Sequence, residues 1–205
     1  MKRLLILLAS FFICASAGAN DVAPDLLVKN VTNEVLEVVR GDKDILSGNT
    51  RKTLDLVEAK VLPHFNFQHM TQLALGRDGR QASPEQLIVL VNEFRNLMVR
   101  TYSKALTEYR DQQISFKPVN FAATDTDVRV RTEIKQSGGK PIPLDYDLEK
   151  TPAGWKVYDM QVGGVSLVTN YRSSFSQEIR ANGIDGLIRS LQVKNKSAEP
   201  AAKAK

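Results

Sequence analysis

The chain has 205 residues, 42% hydrophobic and 25% charged, with 28 Lys and Arg against 23 Asp and Glu and one cysteine. That balance supports one domain with its own core. It argues against nucleic-acid binding, which needs a concentrated basic face, and one cysteine excludes an internal disulfide framework.

Lys2-Arg3 precede an apolar run, Leu4–Ala15, that ends in the small residues Ala15-Ser16-Ala17 and Ala17-Gly18-Ala19. A positive start, a short apolar run and A-x-A spacing make the pattern of a secretory signal peptide, assigned to residues 1–19. The run is shorter than the roughly 20 residues a bilayer span requires. Cys14 lies inside it, so the mature chain carries no thiol, which fits a bacterial periplasm. At the other end, Lys194, Lys196, Lys203 and Lys205 fall in an Ala/Lys/Glu-rich stretch, read as a disordered tail over 193–205. Between these lies a single domain, 20–192, close to neutral in charge.

Leu27, Val31, Val35 and Val38/Val39 repeat at helical spacing until Gly41. A second helix starts near Ser47–Asn49, carries Leu54, Val57 and Val61 on one face, and stops at Pro63. A third, Phe67–Leu75, presents Phe67, Met70 and Ala74, with Gly76 placed to end it. The fourth has the clearest start: Ser83 as N-cap, Pro84 behind it, and Gln86 completing a capping box. Its apolar stripe (Leu87, Val91, Phe94, Met98, Tyr102, Ala105, Tyr109) predicts one helix of about 26 residues, nearly 40 Å long.

The period then changes from helical to alternating. Ile114–Val119 reads as a first strand. Val128, Val130, Thr132 and Ile134 alternate with Arg129, Arg131 and Glu133, and Leu144, Tyr146 and Leu148 alternate with Asp145, Asp147 and Glu149. Trp155–Val162 follows, then a further short strand over Val165–Val168. Ser137-Gly138-Gly139 and Thr151-Pro152-Ala153-Gly154 supply turns. The chain returns to helix at Asn170–Arg180, is interrupted at Gly183, and ends in a helix over Ile184–Leu191. The whole predicts an α+β fold, with helices packed on one face of a curved antiparallel sheet of about four to five strands.

Catalytic patterns fail one by one. His64 and His69 are five apart, which on a helix separates them by about 140° rather than placing them on one metal-binding face. Ser166 sits in Gly-Val-Ser-Leu-Val without a downstream histidine to activate it, and a hydroxyl satisfying a backbone group at a bend is the ordinary reading. Gly76, Gly79 and Gly163-Gly164 do not make a phosphate-cradling loop. Asp145 and Asp147 fall beside Arg129 and Arg131 of the neighbouring strand, as cross-strand ion pairs would. Strict alternation puts Asp159 on the Trp155/Val157 face, where a carboxylate needs a partner: Arg172, Lys156 or a backbone turn. Arg77 and Arg80 read as solvated turn charges, or as partners for a phosphate or an acidic protein. What remains is apolar surface: a long helical stripe and an apolar sheet face, serving either as an ordinary core or as the wall of a cavity.

Several ordered blocks resemble the MlaC-type periplasmic phospholipid-binding family, also called the toluene-tolerance auxiliary family. They are Val61-Leu62-Pro63 before Phe65-Asn66-Phe67, then Ala74-Leu75-Gly76, then Ser83-Pro84-Glu85-Gln86 leading to Phe94 and Thr101-Tyr102. The late blocks are the most specific: Trp155-Lys156-Val157-Tyr158-Asp159, Gly164-Val165-Ser166-Leu167-Val168, Asn170-Tyr171-Arg172 and Gly183-Ile184-Asp185-Gly186-Leu187. Gly163 departs from the pattern, standing where a Glu is expected. The resemblance implies a non-enzymatic, cofactor-free, monomeric carrier with an apolar cavity, moving phospholipid between outer and inner membranes and so maintaining outer-membrane lipid asymmetry. Its implied partners are an outer-membrane lipoprotein–porin complex and an inner-membrane ABC lipid transporter with its lipid-transfer subunit. Candidate lining residues are Leu97, Tyr102, Leu106, Val130, Tyr146, Leu148, Trp155, Val157, Val165 and Leu167. Two rivals are an enzyme with a cone-shaped α+β fold, which needs Asp159 paired with Tyr102 or Tyr146, and a chaperone for lipoprotein acyl chains.

Overall fold

The computed structural model describes residues 22–110 and 112–197. The signal peptide assigned to 1–19 lies outside them. Helix α1 (Pro24–Gly41) opens with Pro24 in its first turn and Asp25 at its positive end, and buries Val28, Val35, Leu36 and Val39. A four-residue turn of helix, α2 (Lys43–Leu46), is capped by the Asp42 carboxylate. In α3 (Thr50–Lys60) the Asn49 side chain accepts from the Lys52 N–H. A 3-10 turn at Leu62–His64 leads to α4 (Phe67–Leu75), where the Asn66 side chain caps the His69 N–H and Gly76 (φ 55°) ends the helix.

Helix α5 (Pro84–Tyr102) carries the expected capping box, Ser83 and Gln86 each satisfying the other's backbone. The expected 26-residue helix is cut short: α5 ends at Tyr102, and the chain makes a separate turn, α6 (Lys104–Thr107). The reason lies in packing. Leu87, Phe94 and Met98 face α4 and α7, whereas Leu106 and Tyr109 turn into a different cluster with α1 and α3. There the Tyr109 hydroxyl accepts from Arg40 at 2.6 and 2.8 Å.

Five antiparallel strands follow as a simple meander: β1 (Gln113–Phe116), β2 (Asp127–Lys135), β3 (Ile142–Thr151), β4 (Gly154–Val162) and β5 (Val165–Ser166). The fifth is shorter than predicted, because Leu167 and Val168 already belong to α7 (Leu167–Ser197). Gly183 kinks α7 with φ 70° and ψ −176°, a conformation essentially restricted to glycine. Residues 193–197, expected as the start of the tail, continue α7: Asn195 is buried and donates to the Glu93 carbonyl and carboxylate. Residues 198–205 lie outside the described part.

Strand β4 needs only partial covering at its free edge. Asn66 N–H donates to the Val157 carbonyl at 2.8 Å and Lys156 Nζ to the Pro63 carbonyl at 2.6 Å, so the segment before α4 seals one end. β5 seals the other. Arg172 of α7 then ties the helical layer together, donating twice to the Leu73 carbonyl near the end of α4.

Candidate functional site

The two faces of the sheet are chemically opposite. Register pairs Val128 with Leu148 and Val130 with Tyr146, and Leu148 with Val157 and Tyr146 with Met160. These side chains share one face. With Trp155 and Val28 of α1 they form a continuous apolar cluster, joined by the half-buried Leu27, Phe65, Phe116 and Val119. Val130 and Leu148 are 1% and 0% exposed, so the wall is closed by its own side chains. Burying a residue of this size is worth about 1.5–3 kcal/mol, which makes the face both a stable core and a surface that rejects water.

α1 lies along this face. Val28 meets Val128 and Trp155 near one end, Thr32 stands at the Tyr146 hydroxyl midway, and Val35, Leu36 and Val39 cluster with Ile114 and Tyr109 near the other. Burial pushes the Tyr146 phenol up to about 12, with Thr32 opposing part of that shift. Of the buried side chains of α1, only Val28 belongs to the sheet-face cluster; its C-terminal half is the better anchored, through α3 and Tyr109.

The candidate residues therefore separate into groups. Val130, Tyr146, Leu148, Trp155 and Val157 come together on the sheet face. Leu97 and Leu167 join the helical cluster of α4, α5 and α7, and Leu106 packs with α1 and α3. Tyr102 and Val165 are the exposed pair, at 36% and 58%. Val165 stands opposite Val162, itself 38% exposed, across the Gly163-Gly164 turn. Tyr102 lies beside Tyr171, one turn into α7, and burial, then this neighbour, raise its phenol to about 12. Two shallow depressions of about 280 and 440 Å³ lie elsewhere, on the surface of α5 and α7, and touch none of these residues.

The polar face carries the ion pairs the alternation predicts. Arg129 grips Asp147 through Nε and Nη2, and Gln161 adds a third bond to that buried carboxylate. Arg131 stands opposite Asp145. His69 Nδ1 lies 2.9 Å from Glu149 Oε1, which also accepts from Asn66, and the imidazole stacks on Tyr158. The Tyr158 hydroxyl donates to Asp127; burial, then this bond, raises its phenol.

Strict alternation misplaces Asp159. A bulge in β4 pairs Asp147 with Asp159 but Leu148 with Val157, leaving Tyr158 as the extra residue. Asp159 thus shares the face of Asp147, not that of Trp155 and Val157. Its buried carboxylate accepts from the Ser166 hydroxyl, the Val168 N–H at 3.2 Å and the Met160 N–H at 2.8 Å. Ser166 in turn accepts from the Thr169 N–H at 3.0 Å, capping α7. The partner is the backbone turn rather than Arg172 or Lys156. Both residues hold the bend, and the sheet separates Asp159 from Tyr146, one of the two pairs an enzymatic reading requires.

These features define an α+β protein with a helix-lined apolar interior against an open antiparallel sheet. Residues 29–193 match the family model described as MlaC protein, and the chain belongs to that family. It is 27% identical over 187 residues to the toluene tolerance protein ttg2D of Pseudomonas putida, covering 90% of this chain and 84% of that one. It is 25% identical over 192 residues to the intermembrane phospholipid transport system binding protein MlaC of Haemophilus influenzae, covering 92% and 89%. Among solved structures it resembles a phospholipid-binding protein of Ralstonia solanacearum in complex with a phospholipid. The TM-score is 0.78 at 39% identity, over 85% of this chain and 97% of that chain.

Proposed function

We propose that this chain is a periplasmic phospholipid carrier, binding acyl chains against the apolar sheet face and moving lipid between the outer and inner membranes. The observation that carries this reading is the match along nearly the whole of a related structure that holds a phospholipid. The chemistry of the interior agrees with it. Two acyl chains hold roughly 30 methylenes, and at about 0.8 kcal/mol each they resist water by something on the order of 20 kcal/mol. A carrier must offset that with dry apolar surface, and Val130, Leu148, Trp155 and Val157 supply such a surface.

Because these side chains close on one another, loading requires the wall to widen. The N-terminal half of α1, held to the sheet mainly through Val28 and Leu27, is the element that yields. The exposed Tyr102, Val162 and Val165 form the rim where acyl chains enter and the headgroup stays wet. The chain performs no covalent chemistry, and directional transport depends on an energised partner, an inner-membrane ABC lipid transporter with its lipid-transfer subunit. The donor or acceptor on the other side is an outer-membrane lipoprotein–porin complex, and the outcome of the traffic is outer-membrane lipid asymmetry. Transfer of labelled phospholipid between donor and acceptor vesicles tests the proposal. The protein should speed transfer in proportion to its concentration; transfer at the spontaneous rate would refute it.

A further inference from the structure

The meander puts the β2–β3 turn, the β4–β5 turn and the start of β1 at the same end of the sheet. The Gly163 N–H donates to the Pro143 carbonyl at 2.9 Å, which holds the two turns side by side. Gly163 and Gly164 adopt φ of 60° and 83°, so the tip is tight and projects Val162 and Val165 at its base. Both valines are exposed, Val165 to 58%. Pro141 and Pro143 beside them are exposed as well. β5 runs straight into α7, whose Tyr171 meets the exposed Tyr102 one turn further on.

Both signs of charge occur at this end, but the carboxylates Glu133 and Asp145 each face a basic residue, Lys117 and Arg131, and two lysines do not face a carboxylate. Lys135 closes β2 and Lys140 follows the Ser137-Gly138-Gly139 turn; both are exposed, and neither has an acidic partner among the described residues. The nearest carboxylate on β2, Glu133, is already paired with Lys117 at 2.7 Å, and Asp145 lies opposite Arg131. Exposed aliphatic side chains at a tight turn, with unpaired lysines flanking them, are what a lipid–water interface with negative headgroups favours.

We propose that this end of the sheet is a docking surface for an anionic phospholipid bilayer, presenting the rim of the lipid site to the membrane. The proposal rests on the carrier reading for its purpose. Contact through two lysines and a small apolar tip is weak and reversible, as suits a protein that must leave again. It is also sensitive to salt, because the attraction decays over about 8 Å at physiological ionic strength.

Flotation of the full protein with vesicles tests it, using phosphatidylcholine alone or phosphatidylcholine with phosphatidylglycerol. The protein should rise with the phosphatidylglycerol vesicles at low salt and stay behind at high salt or with phosphatidylcholine alone. In the double variant Lys135→Glu, Lys140→Glu the partition should fall by about 25-fold or more, with phospholipid content per molecule unchanged. Val165→Ser, at an exposed position, should weaken flotation without lowering the melting temperature. Equal flotation of wild type and the double variant, or with both kinds of vesicle, would overturn the proposal. So would failure of lipid-loaded wild type to float with either, a result consistent with docking onto protein alone and leaving the carrier reading intact. Absence of lipid from the purified protein is a separate measurement and bears on the carrier reading instead.

Discussion

Replacing Leu148 by Asn asks whether the apolar wall is closed when no lipid is present. Leu148 is 0% exposed and stands between Val128 on β2 and Val157 on β4. Losing its apolar side chain forfeits about 2 kcal/mol of burial. The amide that replaces it has no hydrogen-bonding partner on this face, which costs a further 1–3 kcal/mol or so. A total of about 4 kcal/mol is a large part of the roughly 5–15 kcal/mol that holds a domain folded. At about 2–4 °C per kcal/mol for a chain of this size, the lipid-free protein should melt some 8–16 °C lower. The control is Val165→Asn, at a position 58% exposed, expected to change stability by less than about 0.5 kcal/mol while reducing bound phospholipid. Thermal unfolding of lipid-extracted protein, followed by circular dichroism and paired with a phosphate assay on the untreated protein, reads both effects. Melting of Leu148→Asn within about 2 °C of wild type would refute the closed wall and point to an interior already open to water.

Asp159→Ala removes the acceptor for the Ser166 hydroxyl and the buried Val168 N–H, and should cost about 2–4 kcal/mol by chemical denaturation. Asp159→Asn, which can still accept, should cost less; equal losses would mean that the bend does not depend on this acceptor. Gly183→Ala should lower stability by about 2 kcal/mol, although a Cβ there meets nothing within 4 Å, because the backbone conformation itself is strained for alanine. A calorimetric melting temperature unchanged in that variant would show that the kink relaxes. The Tyr146 phenol is raised to about 12 in the folded chain, against an unfolded value near 10. Its contribution is thus complete below pH 10 and lost as pH rises from 10 to 12, since the unfolded chain gives up the proton first. Melting temperatures measured across that range should fall less steeply in Tyr146→Phe than in wild type.

Local signals carried most of the fold. Ser83, Pro84 and Gln86 gave the start of α5, and the alternation of Val128–Ile134 and Leu144–Leu148 gave two strands and their ion-paired face. Local pattern fails where tertiary packing overrides it. The apolar stripe from Leu87 to Tyr109 continues in sequence, yet its last members pack with α1 and α3, so the helix breaks after Tyr102. The bulge at Tyr158 inserts one residue that no periodicity announces, and it moves Asp159 to the opposite face. The sheet-face cluster is legible in part. Period-two alternation marks the inward side of a strand, which identified Val130, Tyr146 and Leu148. It cannot say which helix covers them, and Leu97, Leu106 and Leu167 pack in the helical clusters rather than in the sheet-face cluster. Nothing in the apolar pattern of α1 distinguishes Val28, which only the position of the helix along the sheet brings into the sheet-face cluster.

The most direct test of the carrier reading is native mass spectrometry of the protein purified from the periplasm, followed by organic extraction and lipid identification. A carrier should show a mass increase matching bound two-chain phospholipid in stoichiometric amount, recovered in the extract. A protein of bare polypeptide mass, with no lipid in the extract, would contradict it.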